Sequence, residues 1–458
     1  MADGGGQREL WSTRWGFLLA AVGFAVGLGN IWRFPFVVGN NGGGAFLLIY
    51  LACALLISLP LLISELGIGR LGRASSTGSY RNIAARAGIS RRWGAAGTLA
   101  VFCVFVILSY YTVVTGWTFD YFIRASLNHF EGLDALSSNS MFAELTGNPL
   151  RLLFWNTVVY MLIAVVLRQG VQRGVERAAR VLMPAMFLSL VIMLIYSAVK
   201  GDLSSAMAFL LEPDWSKVNF QTVMAALGQA FYSIGIGLAG MIVFGSYLPD
   251  DFSIPRSALL IILIDTAVAL LAGFMIFPIV FAFGLEPSAG PGLLFQTLPL
   301  TFGQMAGGHL FGTIFFVLLI VAALSSCIGC AEACVAWVDE HWKIPRRTGA
   351  LLVSVLGWSV GILTIMSLGD WSEFYPLNFI PAFAGMNIFS TLDFLAANIL
   401  LLLGGALTAI FLGWRVPKMI NLEAFGIPDG PLFAFIKFML RFVIPGVLLA
   451  ALVMGLRV

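Results

Sequence analysis

Apolar runs of about 20 residues recur along this chain, each closed by a short polar connection. Eleven are counted, at about 15–38, 45–71, 95–123, 152–167, 175–199, 223–247, 257–283, 310–339, 350–366, 391–414 and 432–456. Runs of this length cross a bilayer as α-helices, and a helix satisfies its own backbone groups where no water can. The expected architecture is an all-α integral membrane protein of about eleven transmembrane helices, forming a single domain over residues 1–458.

Two of the runs are interrupted from within. The first contains Gly23-Phe24-Ala25-Val26-Gly27-Leu28-Gly29-Asn30-Ile31-Trp32-Arg33-Phe34-Pro35, with three glycines in seven residues followed by an arginine and a proline. Each glycine costs a helix interior about 1 kcal/mol relative to alanine, and proline removes a donor. An unpaired backbone group in lipid costs several kcal/mol, so a break at this depth is expected where the freed carbonyls and amides line a binding site. Gly23 and Gly27 also have the G-x-x-x-G spacing of close helix packing. Arg33 favours a wet cavity instead, because an ionised side chain in a membrane costs at least about 2.5 kcal/mol. The sixth run holds the second interruption, Gln229-Ala230-Phe231-Tyr232-Ser233-Ile234-Gly235-Ile236-Gly237-Leu238-Ala239-Gly240. Broken helices five spans apart are the signature of an inverted repeat, here spans 1–5 (about 14–200) and 6–10 (about 219–415), with an additional C-terminal helix at about 431–456. In such folds half-helix N-termini face an anionic substrate group while freed carbonyls take a small cation.

Composition agrees with a membrane class: 59% of residues are hydrophobic and 11% charged, too little polar surface for a soluble globule of 458 residues. The net charge of +3 is dispersed among loops, which gives no support for a nucleic-acid partner. Arginines and lysines gather before the first run and in the even-numbered connections, from Arg70 to Arg92, Arg168 to Arg180, and at Arg256, Lys343, Arg346, Arg347, Arg415 and Lys418. By the positive-inside rule this predicts a multi-pass protein of the cell (inner) membrane with a cytoplasmic N-terminus. No cleavable signal is expected, since the first run continues into Arg33-Phe34-Pro35. The five cysteines all fall inside apolar runs and read as small buried residues, and the three histidines are too scattered for a metal site.

Several polar residues inside the runs ask for partners. Glu65 has apolar neighbours that favour an interior contact over snorkelling, and Tyr110-Tyr111 places phenols where a ligand can satisfy them. Asp265, between Ile264 and Thr266, is explained by a bound cation or a positive helix dipole, or by being protonated and hydrogen-bonded. Ser325-Ser326 offer oxygen ligands suited to Na⁺, or serve as small packing residues. Gly174 and Pro184 are placed to loosen the start of span five. The Pro- and Gly-rich stretch 286–308 is long enough to fold over the outer face.

These motifs resemble the neurotransmitter:sodium symporters, in particular their bacterial amino-acid members such as the leucine and multi-hydrophobic amino-acid transporters. The likeness covers nearly the whole chain and rests on Gly27-Leu28-Gly29-Asn30-Ile31-Trp32-Arg33-Phe34-Pro35, Asn41-Gly42-Gly43-Gly44-Ala45-Phe46, the segment from Gly235 to Tyr247, and Ser325-Ser326. It implies a sodium-coupled symporter working by alternating access, not an enzyme, with two Na⁺ sites. The first would use Ala25, Asn30, Ser233, Asp265 and the substrate carboxylate; the second would use Gly23, Val26, Ala322, Ser325 and Ser326. A substrate that ligates the first cation gives coupling a physical basis.

The resemblance further implies a substrate pocket of Phe24, Ala25, Gly27, Ile107, Tyr111, Tyr232, Ser233, Gly235, Leu238, Ser326 and Cys330. Gly27 stands where monoamine carriers have an aspartate, so the substrate is expected to bring its own carboxylate. The pocket offers no charge to a basic or acidic side chain, which predicts neutral, hydrophobic L-amino acids; Gly235 suggests room for a large one. The alternative is another small zwitterion, such as a short neutral amino acid or betaine. Animal members bind Cl⁻ near positions matching Tyr50, Gln229 and Ser233, whereas Asp265 resembles the bacterial carboxylate, so no chloride requirement is expected. Arg33 with Asp393 would gate the outer side, and Arg8 with Glu340 and Tyr247 the cytoplasmic side. A channel would show polar stripes along several spans, and an intramembrane enzyme a nucleophile or metal motif; neither pattern occurs.

Overall fold

The computed structural model describes residues 9–284 and 293–456, so Arg8 of the expected inner gate and the first part of the 286–308 stretch lie outside the described residues. Among those residues the chain is helical, without named strands. Among the described residues nine helices are long and apolar enough to cross a membrane: Gly44–Gly72, Arg91–Ser126, Pro149–Leu167, Val171–Lys200, Ile254–Ala282, Gly308–Trp342, Arg346–Leu368, Ile388–Arg415 and Pro431–Gly455. A tenth span is the pair Arg14–Ala25 and Gly29–Asn40, bent by 50°. Phe220–Ile234 and Gly240–Ser246, parted by residues 235–239, take the place of the eleventh.

Both interruptions fall at the glycines, for local reasons. The first is confined to residues 26–28; beyond it a π-helical turn, Gly29–Arg33, leads into Phe34–Asn40. Pro35 therefore lies inside the continuous helix Gly29–Asn40, beyond the break, and takes no part in it. In the second, Gly235 (φ 70°) and Gly237 (φ 84°) are left-handed, and Ala239 (φ 59°) follows them into a region that disfavours a side chain. Glu65 meets this break: its Oε1 accepts the Gly237 N–H at 2.7 Å, which is the interior partner its surroundings asked for.

Spans three and eight carry the most buried side chains and form the middle of the bundle. Near the end of span three Asp120, itself buried, accepts from Arg124 Nε at 2.7 Å, from Trp155 Nε1 at 3.0 Å and from Arg151, so spans three and four are joined there. Asp134 and Asp202 open the connecting helices Ala135–Thr146 and Leu203–Leu211, their carboxyls held below the usual range by hydrogen bonds from Ser137 and Ser205. All five cysteines are buried and free.

Candidate functional site

The two breaks face each other across a small cavity of about 50 Å³ lined by Phe24, Ala25, Gly27, Gly29, Ile107, Tyr111, Tyr232, Gly235, Leu238, Ser326 and Cys330. Every expected pocket residue is brought to it except Ser233, which lies behind the wall among the oxygens described below; Gly29 is added. No ionisable carboxylate, lysine or arginine lines it. Tyr111 Oη accepts the Leu28 N–H at 2.9 Å, so the backbone of the unwound segment partners the phenol for which a ligand was expected. A Cβ on Gly27 would come within 2.6 Å of Ser326 Oγ and 2.7 Å of Tyr111 Oη. Gly235 has a reason other than pocket room: it is the left-handed cap ending Phe220–Ile234, and a Cβ there would lie 2.9 Å from the Phe24 ring. Gly240 and Gly329 press on the same ring, fixing Phe24 from three sides; the sequence reading missed both, because nothing local marks a glycine that makes way for a distant side chain.

Two clusters of oxygen atoms adjoin the cavity. In the first, Asn30 Nδ2 lies 2.9 Å from Ser233 Oγ, 2.8 Å from Asp265 Oδ1 and 3.1 Å from the Asp265 carbonyl. Ser233 Oγ donates to Asp265 Oδ2 at 2.7 Å, and Gly27 N–H donates to Asn30 Oδ1 at 3.1 Å. All three side chains are buried, and no cationic side chain pairs with Asp265 among the described residues. In the second, Ser326 Oγ lies 3.3 Å from each of the Gly23, Val26 and Ala322 carbonyl oxygens, and Ser325 Oγ donates to Ala322 at 2.9 Å. One hydroxyl proton serves one acceptor at a time, so at any moment at least two of these three carbonyl oxygens receive nothing from Ser326, and freed backbone oxygens of this kind take a small cation in such folds.

The model of the sodium:neurotransmitter symporter family matches residues 8–131 and 146–457 of the chain. The chain belongs to that family. It is 34% identical over 438 residues to a protein of Bacillus subtilis described as the uncharacterized sodium-dependent transporter YhdH, with 95% of each chain covered. It is 32% identical over 416 residues to an uncharacterized sodium-dependent transporter of Haemophilus influenzae, with 89% of each covered. Its fold is similar to that of the crystal structure of MhsT in complex with L-phenylalanine, with a TM-score of 0.89, 36% identity, and 98% and 100% of the two chains covered. This symporter is thus a sodium-dependent transporter and not an enzyme.

The expected gates are arranged differently from the pairs anticipated. Arg33 and Asp393 line one cavity of about 210 Å³ with Trp32, Tyr110, Tyr232 and Phe389, but they form no ion pair among the described residues. The Arg33 guanidinium lies 4.4 Å over the Tyr232 ring, a cation–π contact, while Asp393 Oδ1 accepts from Tyr110 Oη at 2.9 Å. At the other expected gate Tyr247 Oη donates to Glu332, at 2.7 Å, rather than to Glu340. Glu332 is paired in turn with Arg346, whose Nη1 is 3.0 Å away. Glu340 instead accepts the Ser75 N–H at the start of Ser76–Arg86. Glu332 was legible as a carboxylate within an apolar run, eight residues before Glu340; helical register alone did not say which of the two reaches Tyr247.

The N-terminal segment closes this side of the symporter. Trp11 is buried, donating from its ring to the Phe244 carbonyl at 3.0 Å and from its backbone to Tyr247 at 3.0 Å. The segment also clasps span five, where Gly174 and Pro184 were expected to allow loosening. Span five opens with a π-helical turn, Val171–Glu176, and Pro184 lies inside Arg177–Lys200. Glu9 accepts the Val171 and Gln172 N–H groups at 2.8 and 2.9 Å, and Glu176 accepts from Ser12 N–H at 3.0 Å and from Arg180 at 2.5 Å. Charged hydrogen bonds contribute about 1.5–3 kcal/mol each. Glu176→Gln is therefore expected to raise amide hydrogen exchange about tenfold in residues 9–13 and 171–176, with the mid-membrane spans unchanged; unaltered exchange would show that the clasp holds nothing.

Proposed function

We propose that this chain imports neutral, hydrophobic L-amino acids by Na⁺-coupled symport and alternating access. The observation that carries the reading is the shared edge of the site: a cavity without charged side chains whose polar rim, at Gly27, Tyr111 and Ser326, adjoins both oxygen clusters. A substrate carboxylate seated on the rim would join Ala25, Asn30, Ser233 and Asp265 around one Na⁺, while Gly23, Val26, Ala322, Ser325 and Ser326 hold a second. Each bound species then strengthens the other, which is the coupling symport needs. An ionic side chain would lose its hydration in this cavity without gaining a partner. The bound L-phenylalanine of MhsT supports the same substrate class.

Asp265 supplies the negative charge that chloride would otherwise bring, so transport proceeds without Cl⁻. The two broken spans act as equivalent halves of an inverted repeat, rocking about the site. The arginine-rich connections support a cytoplasmic N-terminus, and the protein acts in the cell membrane. A cavity of about 50 Å³ with Phe24 held by three glycines favours a second reading, a short neutral amino acid or betaine, unless the neighbouring outer cavity opens into it.

Proteoliposomes with an inward Na⁺ gradient test both readings. Uptake of radiolabelled leucine and tryptophan is expected to need Na⁺, to persist when gluconate replaces Cl⁻, and to resist competition by lysine, glutamate and betaine. Na⁺-dependent uptake of radiolabelled glycine or betaine without leucine uptake would establish the second reading; loss of uptake in gluconate would overturn the role of Asp265 as chloride's replacement.

A further inference from the structure

The last helix carries a charge where none is expected. Arg441 lies ten residues into Pro431–Gly455, on a face exposed to the surroundings, and it makes no hydrogen bond or ion pair through its side chain among the described residues. An arginine facing acyl chains at mid-depth would be costly, so its level matters. That level is set by span ten: Trp414 Nε1 donates to the Arg441 carbonyl at 2.7 Å, which puts Arg441 beside the end of Ile388–Arg415. The contact is close because Gly413 has no side chain, a Cβ there falling 2.6 Å from the Leu440 carbonyl. Both helices are π-helical at this contact, over Phe411–Arg415 and Met439–Val443.

Arg441 therefore stands level with the end of Ile388–Arg415, with its guanidinium 4.7 Å over the Trp414 ring and 5.9 Å from that of Phe442. Trp414, Phe438 and Phe442 are each more than half exposed around it, an aromatic collar of the kind found at headgroup depth. Two more cations complete the patch: Arg415 is exposed and unpaired among the described residues, and Lys437, one turn before Arg441, donates to the Leu412 carbonyl at 2.6 Å. The carboxylates of the adjoining connection are already engaged, Asp429 with Lys418 and Glu423 with Arg86. Lys437 and Arg441 thus lie together without a carboxylate partner among the described residues, and the exposed Arg415 follows Trp414 directly in the chain.

We propose that this patch is a binding site for the phosphate-bearing headgroup of an anionic phospholipid. Arg415 and Arg441 present guanidinium donors to the phosphate, Lys437 adds field, and Trp414, Phe438 and Phe442 seat the glycerol and upper acyl chains. Zwitterionic lipid fits less well, because its ammonium would be carried into a patch of like charge.

Native mass spectrometry of the purified symporter, and its melting temperature in detergent micelles doped with phosphatidylglycerol or phosphatidylcholine, test this. Wild type is expected to retain phosphatidylglycerol over phosphatidylcholine and to melt higher with it. Each neutralised arginine should weaken retention about fivefold, so Arg415→Gln with Arg441→Gln should lose about 25-fold. Melting of the double variant in phosphatidylcholine alone, expected to match wild type, reports its fold; if it is unfolded, Arg441→Lys is used, which should keep most retention. Equal retention of the two lipids by wild type, or unchanged preference in a folded double variant, overturns the proposal. Retention of glycerol phosphate to the same extent would assign the patch to a free anion and overturn it as a lipid site.

Discussion

Gly27→Ala is expected to reduce Na⁺-dependent uptake by about 30- to 150-fold, corresponding to about 2–3 kcal/mol of overpacking. The added methyl would sit 2.6 Å from Ser326 Oγ and 2.7 Å from Tyr111 Oη, well inside contact distance of both. Neither neighbour can yield cheaply. Ser326 Oγ is set among three carbonyls at 3.3 Å, and Tyr111 Oη holds the Leu28 N–H at 2.9 Å. One methyl thus disturbs both the substrate rim and the second oxygen cluster. Gly228→Ala, in Phe220–Ile234, is the control, since a Cβ there meets nothing within 4 Å. Uptake by Gly27→Ala within threefold of this control would remove Gly27 from the binding surface.

Asp265→Asn is expected to raise the Na⁺ concentration for half-maximal uptake by roughly 150-fold, about 3 kcal/mol, the scale of losing one partner of a buried ion pair. The same change should not lower, and should slightly raise, melting temperature in K⁺. Asp265 is fully buried and, among the described residues, its carboxylate accepts hydrogen bonds only from the neutral Asn30 and Ser233, so without a cation its charge is desolvated and uncompensated. Opposite signs in Na⁺ and K⁺ distinguish a cation ligand from a structural carboxylate. Destabilisation of equal size in both salts would show Asp265 to be part of the scaffold alone.

The reading from sequence succeeded where residue chemistry conflicted with its surroundings. Asn30, Glu65 and Asp265 are conspicuous because polar groups in apolar runs need partners, and each has one in the structure. It did not extend to contacts for which several groups are chemically equivalent. Glu340 and Glu332 lie on one helix, and choosing the partner of Tyr247 required the register of span eight against span six. Gly240 and Gly329 were invisible because their role is the space they leave for Phe24.

What the sequence determined by itself was the membrane class, the order of spans and the positions of both breaks, because apolar length and glycine act locally along the chain. Only the tertiary structure decided which groups meet. Glu65 reaches Gly237 across 172 residues and Tyr247 reaches Glu332 across 85, and the absence of an Arg33–Asp393 ion pair depends on how spans one, three, six and ten lean together. Such pairings follow from packing angles and registers between helices, which are properties of the assembled bundle and are carried by no single segment.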